Sequence, residues 1–184
     1  MVSPLFILSK VTFPLNLYRI IFLFSLLLLF PFCSSKKDQN KFDVIKITDG
    51  DTFQINFNGK KEKIRLIGID TPESRINKKA RKDALKSDES VEDIVALGKE
   101  ATKFVKTLVK VGDELIIEFD VRERDRYGRL LVYAYLSNGK MLNEVIIKSG
   151  YANPLTYPPN IKYQKLFLEA FHFARENKLG LWAE

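Results

Sequence analysis

The sequence predicts a mainly β member of the α+β class, a small Greek-key barrel of five short strands accompanied by three helices. Three features of the residues predict it. Apolar and polar side chains alternate along short runs bounded by turn dipeptides, the pattern of half-buried strands. The spacing lengthens to that of a helix once between strands and twice at the end of the chain. No regular strand–helix alternation occurs, so the crossovers of a parallel sheet are missing.

Residues 42–70 hold the first three strands. "FDVIKI" (42–47) is closed by Asp49-Gly50. In "TFQINFNGKKEKIRLIGI", Phe53, Ile55 and Phe57 alternate with Gln54 and Asn56. Asn58-Gly59 then supplies the pair of residues that a tight type I′ hairpin turn prefers, and a return strand follows. The stretch "SRINKKARKDALKSDES" (74–90) reads as an exposed, mobile, basic loop. From Val91 to Val109 the residues Ile94, Val95, Ala101, Phe104, Val105, Leu108 and Val109 fall mostly on one helical stripe, weakened by Gly98. "DELIIEFDV" (113–121) and "RLLVYAYL" (129–136) are the remaining strands. "MLNEVIIKSG" (141–150) is a short helix stopped by Gly150, and 160–182 is a final amphipathic helix with Tyr163, Leu166, Phe167, Ala170 and Ala174 on its stripe. One domain, 42–182, is expected, preceded by a polar linker at 36–41.

Composition agrees with a globular domain: 184 residues, 46% hydrophobic and 29% charged. The first 35 residues stand apart. They hold no acid, only Lys10 and Arg19 as bases, and the run "IIFLFSLLLLFPF" (20–32). A largely apolar run of thirteen is short for a helix crossing about 30 Å of hydrocarbon, so the segment reads as an export signal. Its fate is open in three ways. Cleavage after Ser35 would release a soluble chain, secreted or periplasmic; lipidation of Cys33 would anchor it to a membrane; an uncleaved segment would also anchor it. Without Lys10 and Arg19 the formal charge falls from +7 to +5. The surplus concentrates in "RINKKARK" (75–82) and "RERDRYGR" (122–129), either solvated faces or contacts for a polyanion.

Cys33 and His172 are the only cysteine and histidine. This excludes thiolate zinc sites, disulfides, two-histidine mechanisms and Ser-His-Asp chemistry, with His172 itself read as a packing or surface residue. Hydrolysis by this chain would have to rest on carboxylates, arginines and a hard metal. Asp49 and Asp51 flank Gly50 at the start of the second strand, while Asp70 and Glu73 follow the third. Counting from the hairpin turn places Asp51 and Asp70 at the same end of the ribbon. Oxygen ligands with water suit Ca²⁺ or Mg²⁺ at about 2.0–2.6 Å, and a carboxylate held nearby could take a proton from water. Arg65 and Arg129 offer planar forks for phosphate oxygens. The plainer alternatives are a polar turn at Thr71-Pro72-Glu73, an outward-facing strand residue for Arg65 and a turn residue for Arg129.

"DGDT" (49–52), "RLIGIDTPE" (65–73), "DRYGR" (125–129), "GKMLNEVIIKSGYA" (139–152) and "LGLW" (179–182) together resemble the staphylococcal nuclease family, in its order and approximate spacing over 42–182. The resemblance implies a five-stranded OB-fold-type barrel with three helices and Ca²⁺-dependent cleavage of DNA and RNA, leaving a 3′-phosphate and a free 5′-hydroxyl. It implies that Asp51, Asp70 and the main-chain carbonyl of Thr71 hold the metal, that Glu73 is the general base, and that Arg65 and Arg129 bind phosphate. Tyr127 would contact a terminal phosphate and Tyr157 would border a base, while Leu155 stands where a second base-bordering tyrosine is expected. The loop after Glu73 is longer than the family's type member has. A monomer is expected, meeting a membrane only through its N-terminal segment or a lipid. The competing expectation is a non-catalytic nucleic-acid-binding OB-fold module, possible with or without a surface tether.

Overall fold

The computed structural model describes residues 41–183. The export-signal, Cys33 and lipidation expectations, and the linker up to residue 40, lie outside them. In chain order the elements are β1 (Lys41–Asp49), β2 (Thr52–Phe57), β3 (Lys60–Leu66), β4 (Gly68–Asp70), α1 (Lys78–Ser87), α2 (Val91–Leu108), β5 (Glu114–Glu118), β6 (Leu130–Tyr135), α3 (Leu142–Lys148), β7 (Asn153–Leu155) and α4 (Gln164–Glu176). A 3₁₀ turn at Gly180–Trp182 follows. Among the described residues no helix is long and apolar enough to cross a membrane.

Five strands close into a barrel in the order β1-β2-β3-β6-β5, with β1 also pairing β5. Every pairing is antiparallel except β3 with β6. The alternation read from the sequence is the reason: Phe53, Ile55, Ile64, Leu66, Leu115 and Ile117 all point inward and are fully buried. Each contributes about 1.5–3 kcal/mol by leaving water. Asn58 and Gly59 both take positive φ, at 52° and 81°, as a tight hairpin between β2 and β3 demands. On α4, Phe167, Ala170 and Ala174 are buried as the stripe predicts, and His172 is exposed.

The fold class and the barrel agree with the sequence reading, and two details correct it. The helices number four among the described residues, because the expected mobile loop at 74–90 contains α1. Asn77 caps that helix by accepting a hydrogen bond from the Ala80 amide at 2.9 Å. Ala80 and Ala84, four residues apart, are buried against Ile94 and Val95 of α2. Two alanines were too little apolar surface to register against the surrounding lysines.

The expected third strand also does not run straight to Asp70. It ends at Leu66, and Gly68 turns the chain at φ +80° where a side chain would collide with the Phe167 ring, 2.3 Å from the position of a Cβ. The chain then pairs as β4 with β7, Asp70 opposite Asn153. Where β3 stops, the buried side chain of Asn143 on α3 takes over its ladder. Its Oδ1 accepts the Ala134 amide at 3.0 Å and its Nδ2 donates to the Ile67 carbonyl at 2.9 Å.

On the far side, Glu118 of β5 accepts hydrogen bonds from Tyr135 at 2.7 Å, Tyr163 at 3.0 Å and the Lys162 ammonium at 2.5 Å. Burial pushes its carboxyl up, but these donors outweigh burial and hold it below the ordinary 4.5. A carboxyl lowered by folding contributes stability above its unfolded value, and that contribution is lost as pH falls through the folded one. Glu118→Gln should therefore lower stability at pH 7 by about 1–2 kcal/mol, with the difference shrinking on acidification below the ordinary carboxyl value. Urea unfolding of both proteins at neutral and acid pH checks this; a deficit that does not change with pH would contradict it.

Candidate active site

The rim of the barrel where β2 begins and β3 ends gathers the acids. Thr52 pairs with Arg65 across the ribbon, and the Leu66 amide donates to the Asp51 carbonyl at 3.0 Å. Asp51 is buried. Its Oδ2 accepts both the Thr71 amide at 3.0 Å and the Thr71 hydroxyl at 3.1 Å, fixing the chain just beyond β4. The guanidinium of Arg65 lies between the two aspartates, Nη1 2.9 Å from Asp51 Oδ2 and Nη2 2.8 Å from Asp70 Oδ1. One fork holding both carboxylates means they face a common point, as counting from the hairpin predicts. It also means that Arg65, with its side chain only 11% exposed, is not the outward-facing residue that its parity in β3 allowed.

Glu73 is set by two helices. Its Oε2 accepts from Asn77 Nδ2 at 2.7 Å, so the residue that caps α1 also grips the carboxylate. Its backbone rests on α2 at Gly98, where a Cβ would stand 2.3 Å from the Glu73 carbonyl. The glycine that weakens α2 in sequence is thus the notch that admits the loop. Behind it, Asp49 accepts from Gly50 at 3.0 Å and from Thr102 of α2 at 3.2 Å. Burial, then the charges of Asp51 and Glu73, push the Asp49 carboxyl up. Asp70 is likewise pushed up by burial, with Lys79 and Arg65 pulling against it.

A cation already sits among these oxygens. Lys79 Nζ lies 2.9 Å from Glu73 Oε1, 3.2 Å from Asp70 Oδ1 and 3.1 Å from the Thr71 carbonyl, to which it donates. Burial pulls the ammonium down, but Asp70, Glu73 and Asp51 outweigh burial and raise it above the ordinary lysine value. The sequence reading missed Lys79 because it was one of five bases in a single run; its place in the first turn of a helix would have distinguished it, had that helix been legible.

A cleft of about 780 Å³ opens over the acids. Asp51, Arg65, Asp70, Glu73, Tyr127, Arg129 and Tyr157 line it, whereas Thr71 is buried behind and presents its carbonyl to Lys79. Arg129 is held at one nitrogen, its Nε 2.7 Å from Asp125 Oδ2, and among the described residues its two terminal nitrogens have no acceptor. Tyr127, 69% exposed, stands beside it with its ring centroid 5.6 Å from the guanidinium carbon. Leu155 is 43% exposed at the wall that leads to Tyr157, an aliphatic surface where the family resemblance leads one to expect an aromatic one.

The family model described as "Staphylococcal nuclease homologue" matches residues 63–184. The Thermonuclease of Staphylococcus hyicus is 34% identical over 149 residues, covering 81% of this chain and 79% of that protein. The chain belongs to the staphylococcal nuclease family. Other members agree: the Thermonuclease of Staphylococcus intermedius is 34% identical over 154 residues, 83% of each chain, and Endonuclease YncB of Bacillus subtilis (strain 168) is 37% identical over 138 residues, 74% of this chain and 58% of that one. Asp51 precedes the stretch matched by the family model, so its place in the site rests on the geometry above.

The donor set can be tested against a divalent ion. Among the described residues no three Asp, Glu, His or Cys side chains converge as a ready cage. Asp70 and the Thr71 carbonyl nonetheless turn oxygens to one point that accepts positive charge, the Lys79 ammonium, and Asp51 shares the Arg65 guanidinium with Asp70 beside it. Two carboxylates, one carbonyl and water suit a hard oxygen-seeking dication such as Ca²⁺ and do not suit zinc or copper. In this staphylococcal nuclease homologue the residues fit the ion that the resemblance implies.

Proposed function

We propose that the protein is an exported, Ca²⁺-dependent endonuclease that hydrolyses phosphodiester bonds of DNA and RNA to 3′-phosphate ends, acting as a monomer. The observation that carries this reading is the pair Asp51 and Asp70 sharing one guanidinium beside Glu73, in a cleft walled by Arg129. Named relatives support it: two are thermonucleases and one an endonuclease.

Asp51, Asp70 and the Thr71 carbonyl would hold the ion. Bound there, Ca²⁺ would supply positive charge that favours the crowded phosphorus of the transition state. Glu73 accepts a proton from the attacking water. Arg129, pinned at Nε by Asp125, presents its terminal nitrogens to a phosphate oxygen, and Arg65 orders the two aspartates while adding charge on the opposite side. Tyr127 meets a terminal phosphate, and Tyr157 with Leu155 borders a base. The single aliphatic residue there gives a weaker stacking platform than two aromatics would.

Incubating plasmid DNA and RNA with the purified protein in Ca²⁺ and in EDTA tests the reading. Cleavage in Ca²⁺, silenced by EDTA and restored by added Ca²⁺, with product ends that a phosphatase must trim before extension, is the expected result. Retardation of DNA without cleavage would instead indicate a binding module. Export and the choice between a free N-terminus and a lipidated Cys33 are read from the mass of the native protein.

A further inference from the structure

We propose that Lys79 is a tethered cation occupying the seat of the divalent ion, so that metal binding must eject it and the nuclease stays closed until calcium is abundant. This rests on the metal reading given under Proposed function. Its ammonium contacts three oxygens at 2.9–3.2 Å, those of Glu73, Asp70 and the Thr71 carbonyl. Two of these are oxygens that would ligate the ion, and the third belongs to the base. An ammonium and a hard dication seek the same ligands, and the seat admits one of them.

The second observation is local. Lys78 and Lys79 fill the first turn of α1, which holds no acid. Cations there oppose the helix dipole, whose N-terminal end favours negative charge. A residue that breaks a local rule in this way is expected to be compensated elsewhere, and here the compensation is the cluster of acids. Asn77 makes the arrangement definite. It caps α1 through Oδ1 and holds Glu73 through Nδ2, so the helix that delivers Lys79 is tied to the carboxylate that Lys79 blocks.

The chemical consequence is a double block. While Lys79 is seated, Glu73 has one oxygen committed to Asn77 and the other to the ammonium, which leaves it poorly placed to accept a proton from water. Ejection restores that oxygen to Glu73 at the moment the ligands of Asp70 and Thr71 turn to the ion. The freed ammonium stays in the same cleft, which Lys82 and Lys86 also line, where a substrate phosphate can take it. Metal binding and substrate grip would then strengthen each other.

Two measurements on the full chain test this without relying on turnover. Calorimetric titration with CaCl₂ should give a dissociation constant for Lys79→Met about tenfold or more below that of the wild type, since a competing charge is gone. Acylation of the wild type with a lysine-reactive ester, read by mass spectrometry, should label Lys79 several-fold faster in saturating Ca²⁺ than in EDTA, with the exposed Lys103 unchanged as a control. A Lys79→Met constant equal to or weaker than wild type, or Lys79 labelling unaltered or slowed by Ca²⁺, overturns the inference and leaves the metal reading intact. Absence of calcium binding in both proteins removes the metal reading, and this inference with it.

Discussion

Glu73→Gln is expected to lower turnover by about 10²–10⁴-fold while leaving the fold unchanged, the range by which a positioned proton acceptor accelerates a reaction. The substitution is close to isosteric. Asn77 can still donate to the remaining carbonyl oxygen, and the Glu73 backbone keeps its seat against Gly98, so α1 and α2 have no reason to move. What is lost is an oxygen able to take a proton. If Glu73 is the base proposed above, the deficit should lie in kcat, because a base takes the water's proton only as the bond is made, and KM should change far less. Thermal unfolding should stay within a few degrees of wild type. Near-normal turnover in a variant that is folded would move the role of base to another group, and the half-buried Asp49 would become the next to test.

The largest expected loss of stability comes from a residue with no part in the chemistry. Asn143→Ala should cost about 3–5 kcal/mol, because it strands the Ala134 amide and the Ile67 carbonyl inside the core at once. The site has no exposure to let water substitute. For a domain of this size that loss lowers the melting temperature by roughly 10–15 °C. Because Asn143 bridges β6 to the turn from β3 into β4, the damage should reach Asp70, and calcium affinity should weaken along with stability. Chemical denaturation measures the first and calorimetry the second. A loss below about 1 kcal/mol would mean that the ladder rearranges to satisfy both groups unaided.

Much of the barrel was legible because strand burial repeats every second residue and the alternation through Phe53, Ile55, Ile64 and Leu66 left little choice of face. That Asp51 lies beside Arg65 was legible for the same reason: a two-residue hairpin fixes register, and Thr52 falls opposite Arg65; Asp70 joins them only past the turn at Gly68. What escaped reading depended on partners distant in sequence. The kink at Gly68 answers to the Phe167 ring, and nothing near Gly68 announces it. Gly98 was visible as a flaw in a helix, but its reason lay in the backbone of Glu73. Helix α1 hid because two alanines bury so little that its lysines dominated the pattern, and Lys79 hid with it. Arg65 lost the outward face that its parity allowed, since parity spoke of β3 alone while both aspartates fold over it.

The short ribbon of β4 and β7 has a mechanical corollary. Asp70 is opposite Asn153 and Gly68 is opposite Leu155, two residues before Tyr157. The strand that carries Asp70 is therefore hydrogen-bonded to the strand that carries Leu155, and under the proposed function it joins an ion ligand to the wall for the nucleobase. A side chain at Leu155 that drew a base closer would pull on the same three-rung splint that aligns Asp70, so under the proposed function preference among bases and affinity for the ion would be tuned together.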